Sequence, residues 1–291
     1  MSDPYRLMGV INATPDSFSD GGLFLDADAA VAQAIRLAGE GADILDVGGE
    51  STRPGAEPVA LEEELRRVLP VVEGIAASLP DGPQISIDTT KAAVARRALE
   101  SGATLVNDVS AFRADPEMAA TVAAAGADCC LMHMRGEPRT MQRGGGPQYD
   151  DVVEEVGAFL HERLEYAMGE GIASERIMLD PGIGFGKTAQ HNLELLRRLD
   201  ELVALGRPIV IGTSRKAFIG RVSAAARGRE EPAAPSERLG GTIATNVLAF
   251  ERGARVFRVH DVGPVGDALA LAAATLTGRW TARNATTTPR S

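Results

Sequence analysis

Short apolar runs alternate with longer amphipathic stretches along this chain. Eight runs are rich enough in β-branched and other apolar residues to predict strands: "LMGVIN" (7–12), "ADILDVG" (42–48), "QISID" (84–88), "TLVNDVS" (104–110), "CCLMHM" (129–134), "RIMLD" (176–180), "PIVIGTS" (208–214) and "RVFRVH" (255–260). The segments between them place small and apolar residues at i, i+3 and i+4, which is the spacing of a helix with one buried face. They are "DADAAVAQAIRLAGEGA", "LEEELRRVLPVVEGIAASL", "KAAVARRALESGA", "DPEMAATVAAAGA", "DVVEEVGAFLHERLEYAMGEGI", "NLELLRRLDELVALG", "SERLGGTIATNVLAFERGA" and "VGDALALAAATLTG". Most close on a glycine-containing turn, as a helix C-terminus should.

Strict strand–helix alternation implies a parallel sheet with helical crossovers. Runs that are apolar throughout indicate strands covered on both faces. Eight such units in 291 residues fit a (β/α)8 TIM barrel better than an open doubly wound sheet, the fold alternative. No composition shift or internal repeat divides the chain, so residues 1–280 are expected to form one barrel domain. The polar residues 281–291 are expected to be a disordered tail. Three connections are long, "ATPDSFSDGGLFLD", "GESTRPGAEPVA" and "RGEPRTMQRGGGPQYD". All three leave C-terminal strand ends, where barrels carry their active sites.

Composition narrows the possible partners. A net charge of −10 disfavours nucleic acid and anionic membrane surfaces, while a local basic pocket could still bind a small anion. No run approaches the length of a membrane span and no signal-peptide pattern opens the chain, so a cytoplasmic location is expected. Cys129 and Cys130 are adjacent, which in a strand sends them to opposite faces and predicts buried free thiols.

The strand ends turn polar in a consistent way: Asn12, Asp88, Asn107 and Asp108, a position near His133, Asp180, then Ser214, Arg215 and Lys216, and finally Arg258 and His260. One such end could be a helix cap. Polar ends converging from seven strands are better explained as a shared pocket. Asp and Asn suit a hydrogen-bonding heterocycle, and Lys, Arg and His suit an anion.

Three familiar motifs are nearly present and fail on inspection. In "LDPGIGFGKT" the first glycine of a P-loop is replaced by Pro181, and the third glycine of a dinucleotide fingerprint by Lys187. "GTSRK" ends in Lys216 where a nucleophile elbow needs glycine. No metal-ligand spacing occurs, so any metal must be held largely by substrate, as Mg²⁺ often is.

Taken together, "MGVINATPDSFSDGG", "ADILDVGGESTRPGA", "ISIDTTK", "LVNDVSA", "LMHMRGEPRTMQ", "LDPGIGFGKT", "GTSRKAFIG" and "RVFRVHDV" resemble the dihydropteroate synthases, pterin-binding enzymes of folate biosynthesis, in family order from residue 8 to 262. The resemblance implies condensation of a dihydropterin methyl diphosphate with 4-aminobenzoate, releasing diphosphate. It implies pterin contacts from Asp88, Asn107, Met132, Asp180, Lys216 and Arg258, and diphosphate contacts from Asn12, Arg258, Val259 and His260. Asn12 corresponds to the ligand of Mg²⁺. Phe18, Thr52, Arg53, Pro54, Phe185, Ser214 and Lys216 match positions around 4-aminobenzoate. A homodimer is the family's expected assembly, and sulfonamides, which resemble 4-aminobenzoate, are the expected inhibitors. The "RGGGP" run at 143–147 departs from the family pattern in a loop.

Two other readings are weighed. A methyltetrahydrofolate-dependent corrinoid methyltransferase would not need a diphosphate substrate. A non-catalytic pterin-binding paralogue would be expected to lack Lys216, Asp180 or Arg258, and all three are present. Among the remaining polar residues, His161 and His191 are expected at the surface, and Lys187 as a solvated or loop-stabilising charge. His133 is divided between packing and the pocket rim, and Asp46 is a candidate structural acceptor. Trp280 is expected to anchor the terminus by packing, and 227–232 to be a helix-flanking loop.

Overall fold

A computed structural model of the chain describes residues 4–13, 23–51, 57–136 and 147–280. Its strands are β1 (Arg6–Asn12), β2 (Ile44–Gly48), β3 (Gln84–Asp88), β4 (Leu105–Asp108), β5 (Asp128–Met132), β6 (Ile177–Asp180), β7 (Val210–Ile211) and β8 (Val256–Val259). All pair in parallel in the order β6-β5-β4-β3-β2-β1-β8-β7. The two ends of that order meet where Leu179 pairs with Ile209 and the Leu179 amide donates to the Pro208 carbonyl at 3.0 Å. The expected (β/α)8 barrel is therefore the observed fold, with its weakest seam between β6 and β7.

The helices are α1 (Leu23–Gly39), α2 (Leu61–Ser78), α3 (Ala92–Glu100), α4 (Met118–Ala125), α5 (Val152–Gly169), α6 (Ala189–Arg197), α7 (Leu199–Val203), α8 (Ala217–Ala226), α9 (Leu239–Glu251) and α10 (Val262–Thr277). The segment expected as one helix over "NLELLRRLDELVALG" is two. Arg198 leaves helical geometry, its guanidinium engages Asp151 and Glu201, and the break allows both Leu199 and Leu202 to be buried. Helix α8 is not among the predicted segments. Its buried stripe is Phe218, Ile219, Gly220 and Ala224, short and next to the polar 227–232 stretch. Trp280 contradicts its expected packing role, being 84% exposed. Helix α10 ends at Gly278 in a left-handed conformation, beyond which nothing among the described residues covers the indole.

Alternation along the strands builds two cores. Leu7, Leu45, Ile87, Val106, Cys129, Leu131, Leu179, Ile211 and Phe257 face outward and pack with the helices. Met8, Ile44, Leu105, Cys130, Met178, Val210 and Val256 form a separate apolar tier inside the barrel. Cys129 and Cys130 thus lie on opposite faces as free, buried thiols, with burial raising both pKa values. Two residues further along each strand, the same inward face carries Val10, Asp46, Asn107, Met132, Asp180 and Arg258. Because the strands are parallel, this polar tier lies toward one end of the barrel, the end bearing the three long connections. No helix among the described residues is long and apolar enough to cross a membrane. The expected tail at 281–291 lies outside the described residues.

Candidate active site

Arg258 is the hub of the polar tier. It leaves β8 on the inward face, where its Nε donates to Asp46 Oδ2 at 2.6 Å and its Nη2 to Asp88 Oδ2 at 2.8 Å. Asp46 is fully buried and takes two further bonds, from Asn107 Nδ2 at 3.0 Å and Ser86 Oγ at 2.6 Å. This cluster joins β8 across the lumen to β2, β3 and β4. Burial pushes the Asp88 carboxyl up to about 7 even though the Arg258 charge pulls it down, and Asp46 and Asp108 add to the rise. Burial opposes the Arg258 charge in turn, and the facing Asp46 and Asp88 more than offset it, holding its pKa above the usual value.

A second group forms where β6 gives way to α6. Asp180 Oδ1 accepts the Gly182 amide at 2.6 Å, which fixes one carboxylate oxygen in the turn. Burial raises the Asp180 pKa while the Lys216 charge counters it. Burial also brings Lys216 down to about 8, against the pull of Asp180. The Lys216 ammonium donates to the Ile183 carbonyl and lies 4.4 Å from the centre of the Phe185 ring. Phe185 packs beside Val109, Met132 and Met134, a small apolar wall separate from both cores. Glycine is required in this turn. Gly182 has φ +66° and a Cβ there would lie 1.9 Å from the His133 carbonyl oxygen; at Gly186, φ +60°, it would lie 2.2 Å from that of Arg135.

The rim above β7 and β8 supplies the remaining polar groups. Ser214 Oγ accepts the His260 backbone amide at 3.2 Å and sits 2.9 Å from His260 Nδ1, so the two expected subsites share a contact. Arg215, expected in the pocket only as a polar strand end, forms a fork with Asp261 instead. Val259 is the last residue of β8 and is buried; Asn12 ends β1, partly exposed, in register with Gly48, which is itself in register with Asp88. Among the described residues, no group of three or more His, Cys, Asp or Glu is arranged to hold a metal. A single amide oxygen at Asn12 suits a hard cation that takes its other oxygens from a diphosphate and water.

Of the sequence-derived candidates, Asp88, Asn107, Met132, Asp180, Lys216 and Arg258 come together at one end of the barrel, with Phe185, Ser214, Asn12, Val259 and His260 at its rim. Phe18, Thr52, Arg53 and Pro54 lie outside the described residues. His133 takes the packing alternative: it follows inward-facing Met132, and its ring meets Phe159 of α5 edge-on at 4.9 Å. Burial lowers its pKa to about 2, so the imidazole stays neutral. His191 is partly buried and not simply a surface residue, completing the capping box of α6 with Thr188. His161 is exposed as expected.

Lys187 is not solvated. Only 2% of it is exposed, and burial drives its pKa well below the lysine range despite the opposing Asp180 charge. Its loop-stabilising alternative is the one observed. Asp46 is the structural acceptor expected of it, and it is also one of the two carboxylates that fix Arg258. Counting by twos from the inward-facing Ile44 would have placed it in the lumen.

The model for "Pterin binding enzyme" matches residues 8–260. The dihydropteroate synthase of Synechocystis is 48% identical over 256 residues, covering 88% of this chain and 85% of that relative. The dihydropteroate synthase of Xanthomonas albilineans with 4-aminobenzoic acid superimposes with a TM-score of 0.84 at 47% identity, covering 94% of each chain. A structure of the same organism's enzyme in complex with 7,8-dihydropteroate gives 0.81 at 44% identity, again over 94% of each.

Proposed function

The chain belongs to the family of pterin-binding enzymes, and from that premise we infer that its polar barrel mouth carries out the dihydropteroate synthase reaction. It condenses (7,8-dihydropterin-6-yl)methyl diphosphate with 4-aminobenzoate to give 7,8-dihydropteroate and diphosphate, a step of tetrahydrofolate biosynthesis. The observation that carries the reading is the inward tier of Asp46, Asp88, Asn107, Asp180 and Arg258 directly above an apolar floor. Such a tier offers a flat, polar-edged ring hydrogen bonds around its rim and an apolar surface beneath it.

The residue roles follow from their chemistry. Asp180 keeps acceptor capacity beyond its Gly182 bond and presents it to the adjacent N–H donors of the 2-amino-4-oxo ring. Lys216 donates to the oxo and ring-nitrogen side. Asp88 and Asn107 contact the ring edge, Met132 its face, and Arg258, steadied by two carboxylates, covers the pterin and reaches the diphosphate. His260 and the Val259 amide complete the anion site. Phe185 and Ser214 border the aryl amine, and the family resemblance assigns Phe18, Thr52, Arg53 and Pro54, outside the described residues, to the same substrate.

In the reaction the methylene C–O bond breaks, the amine nitrogen forms the new C–N bond and loses a proton, and diphosphate departs with the electron pair. The pterin ring delocalises cationic character at the methylene, so no covalent enzyme intermediate is required. Asn12 would hold Mg²⁺ through its amide oxygen, and the cation, when bound, supplies positive charge to the leaving diphosphate. Incubation with both substrates and Mg²⁺ should release diphosphate and dihydropteroate together. A folded protein that forms neither would sink the reading.

A pH dependence follows from the two shifted groups. Asp88 is ionised, and so an acceptor, only above about 7; Lys216 is protonated, and so a donor, only below about 8. The profile of kcat/KM for the pterin substrate should therefore be a narrow bell, rising through the Asp88 pKa and falling through that of Lys216. Asp88→Asn should remove the acid limb and leave the alkaline one in place. An acid limb unchanged in that variant would assign it elsewhere.

A cytoplasmic homodimer completes the proposal. Val222, Leu248, Leu271 and Leu276, on α8, α9 and α10, are between 45% and 70% exposed, an apolar surface that supports pairing of two copies. Leu271→Glu should shift the mass measured by light scattering from dimer to monomer, and an unchanged mass would move the interface to another face.

A further inference from the structure

The loop-stabilising contacts of Lys187 hold the turn after β6. Lys187 turns inward, and its Nζ lies 2.8 Å from His133 Nδ1 and donates to the Phe185 carbonyl at 3.0 Å and the His133 carbonyl at 3.4 Å. Phe185 belongs to the turn itself, whereas His133 belongs to the chain leaving β5. Lys187 therefore ties the two segments together at the place where Gly182 and Gly186 press against the His133 and Arg135 carbonyls.

The far end of the tie is also fixed. The His133 ring meets Phe159 at 4.9 Å and 89°, and lies 6.2 Å from the ring of Tyr149. The Tyr149 hydroxyl donates to the Gly186 carbonyl at 2.9 Å, closing a loop of contacts around the turn. Asn192 Oδ1, from α6, accepts the Gly184 amide at 2.7 Å. Between these fixed points lie the two groups the turn presents to the pocket, the Phe185 ring and the Ile183 carbonyl that receives Lys216.

We propose that Lys187 is a positioning residue for the 4-aminobenzoate subsite, setting the Phe185 ring against the aryl amine through the Phe185 carbonyl and His133. The proposal rests on the dihydropteroate synthase reading, since that reading assigns Phe185 to the second substrate. Lys187 itself touches neither substrate. Asp180, the pterin acceptor, is held independently at the start of the turn by the Gly182 amide. Loss of the tie should therefore fall on one substrate and spare the other.

The test is steady-state kinetics of the full chain with each substrate varied in turn, alongside thermal unfolding. In Lys187→Met, which keeps the length of the stem and removes the ammonium, KM for 4-aminobenzoate should rise on the order of tenfold or more, as expected when a binding wall shifts by a fraction of an ångström. KM for the pterin diphosphate should stay within about twofold, because uniform binding of that substrate is untouched. His133→Phe provides a second variant should Lys187→Met fail to fold. It keeps an aromatic ring against Phe159, removes the Nδ1 acceptor and should raise the same KM in the same direction. Equal changes in both KM values, or a lowered melting temperature with neither KM moved, would overturn the proposal and leave Lys187 as a structural residue. A wild-type protein that forms no dihydropteroate would overturn the underlying reading, and the proposal with it.

Discussion

Arg258→Met is expected to abolish most of the activity and to cost the fold several kcal/mol at once. Its guanidinium bridges Asp46 at 2.6 Å and Asp88 at 2.8 Å, and both carboxylates are buried. Methionine fills much of the same volume but leaves two facing carboxylates with no cation between them. Removing one partner of a buried ion pair typically costs about 3–5 kcal/mol. Without the Arg258 charge, which pulls the Asp88 pKa down to about 7, that pKa rises further and protonation relieves part of the cost, so the stability loss should shrink as pH falls toward 7 and be smallest below it. The activity loss should not shrink with it, because the donors facing the leaving diphosphate are gone. Loss of a preorganised donor to developing negative charge costs about 100- to 1,000-fold in rate.

Arg258→Lys separates the two effects. A single ammonium can reach one carboxylate but cannot present the planar fork that engages both. The variant should recover part of the stability and little of the activity. Chemical denaturation at two pH values, set beside diphosphate release, measures both quantities. Activity within about tenfold of wild type in Arg258→Met would show that the anion is held by other groups.

The barrel was legible because its signal is repeated. Eight apolar runs at regular spacing, each followed by a helical stripe, leave little choice of topology, and the C-terminal ends carry their polar residues in plain view. What the sequence concealed was orientation within the turns. Lys187 lies in the same glycine-rich turn as Phe185, yet it points into the protein because Gly182 and Gly186 allow the backbone to press against the chain leaving β5. Linear spacing cannot report a contact between residues 54 positions apart, such as Lys187 with His133. Asp46 was hidden differently. It sits inside an apolar run, "ILDVG", and its importance lies in meeting Arg258 from a strand 212 residues away. Helix α8 was missed because Phe218, Ile219 and Ala224 make too short a stripe for periodicity to register. The two-residue β7 shows the opposite limit, since "PIVIGTS" reads as a full strand but pairs with β8 over only Val210 and Ile211, with a single bridge from Ile209 to Leu179, before turning into the rim.

The pterin edge should depend most steeply on Asp180 and Lys216, and the sharpest probe is a substitution that preserves shape. Asp180→Asn retains an oxygen for the Gly182 amide, so the turn after β6 should hold and the melting temperature should change little. The other carboxylate oxygen becomes an NH2 group, which would face the N–H donors of the 2-amino-4-oxo ring. An acceptor turned into a donor loses one charged hydrogen bond, worth about 1.5–3 kcal/mol, and leaves two donors opposed. Affinity for the pterin should fall by about 100-fold or more. Lys216→Met removes the donor on the opposite side of the ring and the charge that restrains the Asp180 pKa, so it too should weaken pterin binding by about 10- to 100-fold. The two effects should not add. Without Lys216, Asp180 carries a proton more readily and is already a poorer acceptor, so the second substitution finds less to remove. Calorimetric titration of the pterin into the wild type, both single variants and the double variant closes the cycle. A coupling of about 0.5–3 kcal/mol is expected for two groups that act through one ligand and one field. Strict additivity would mean that Asp180 and Lys216 act on the pterin independently, and unchanged affinity in either single variant would place the pterin elsewhere along the polar tier.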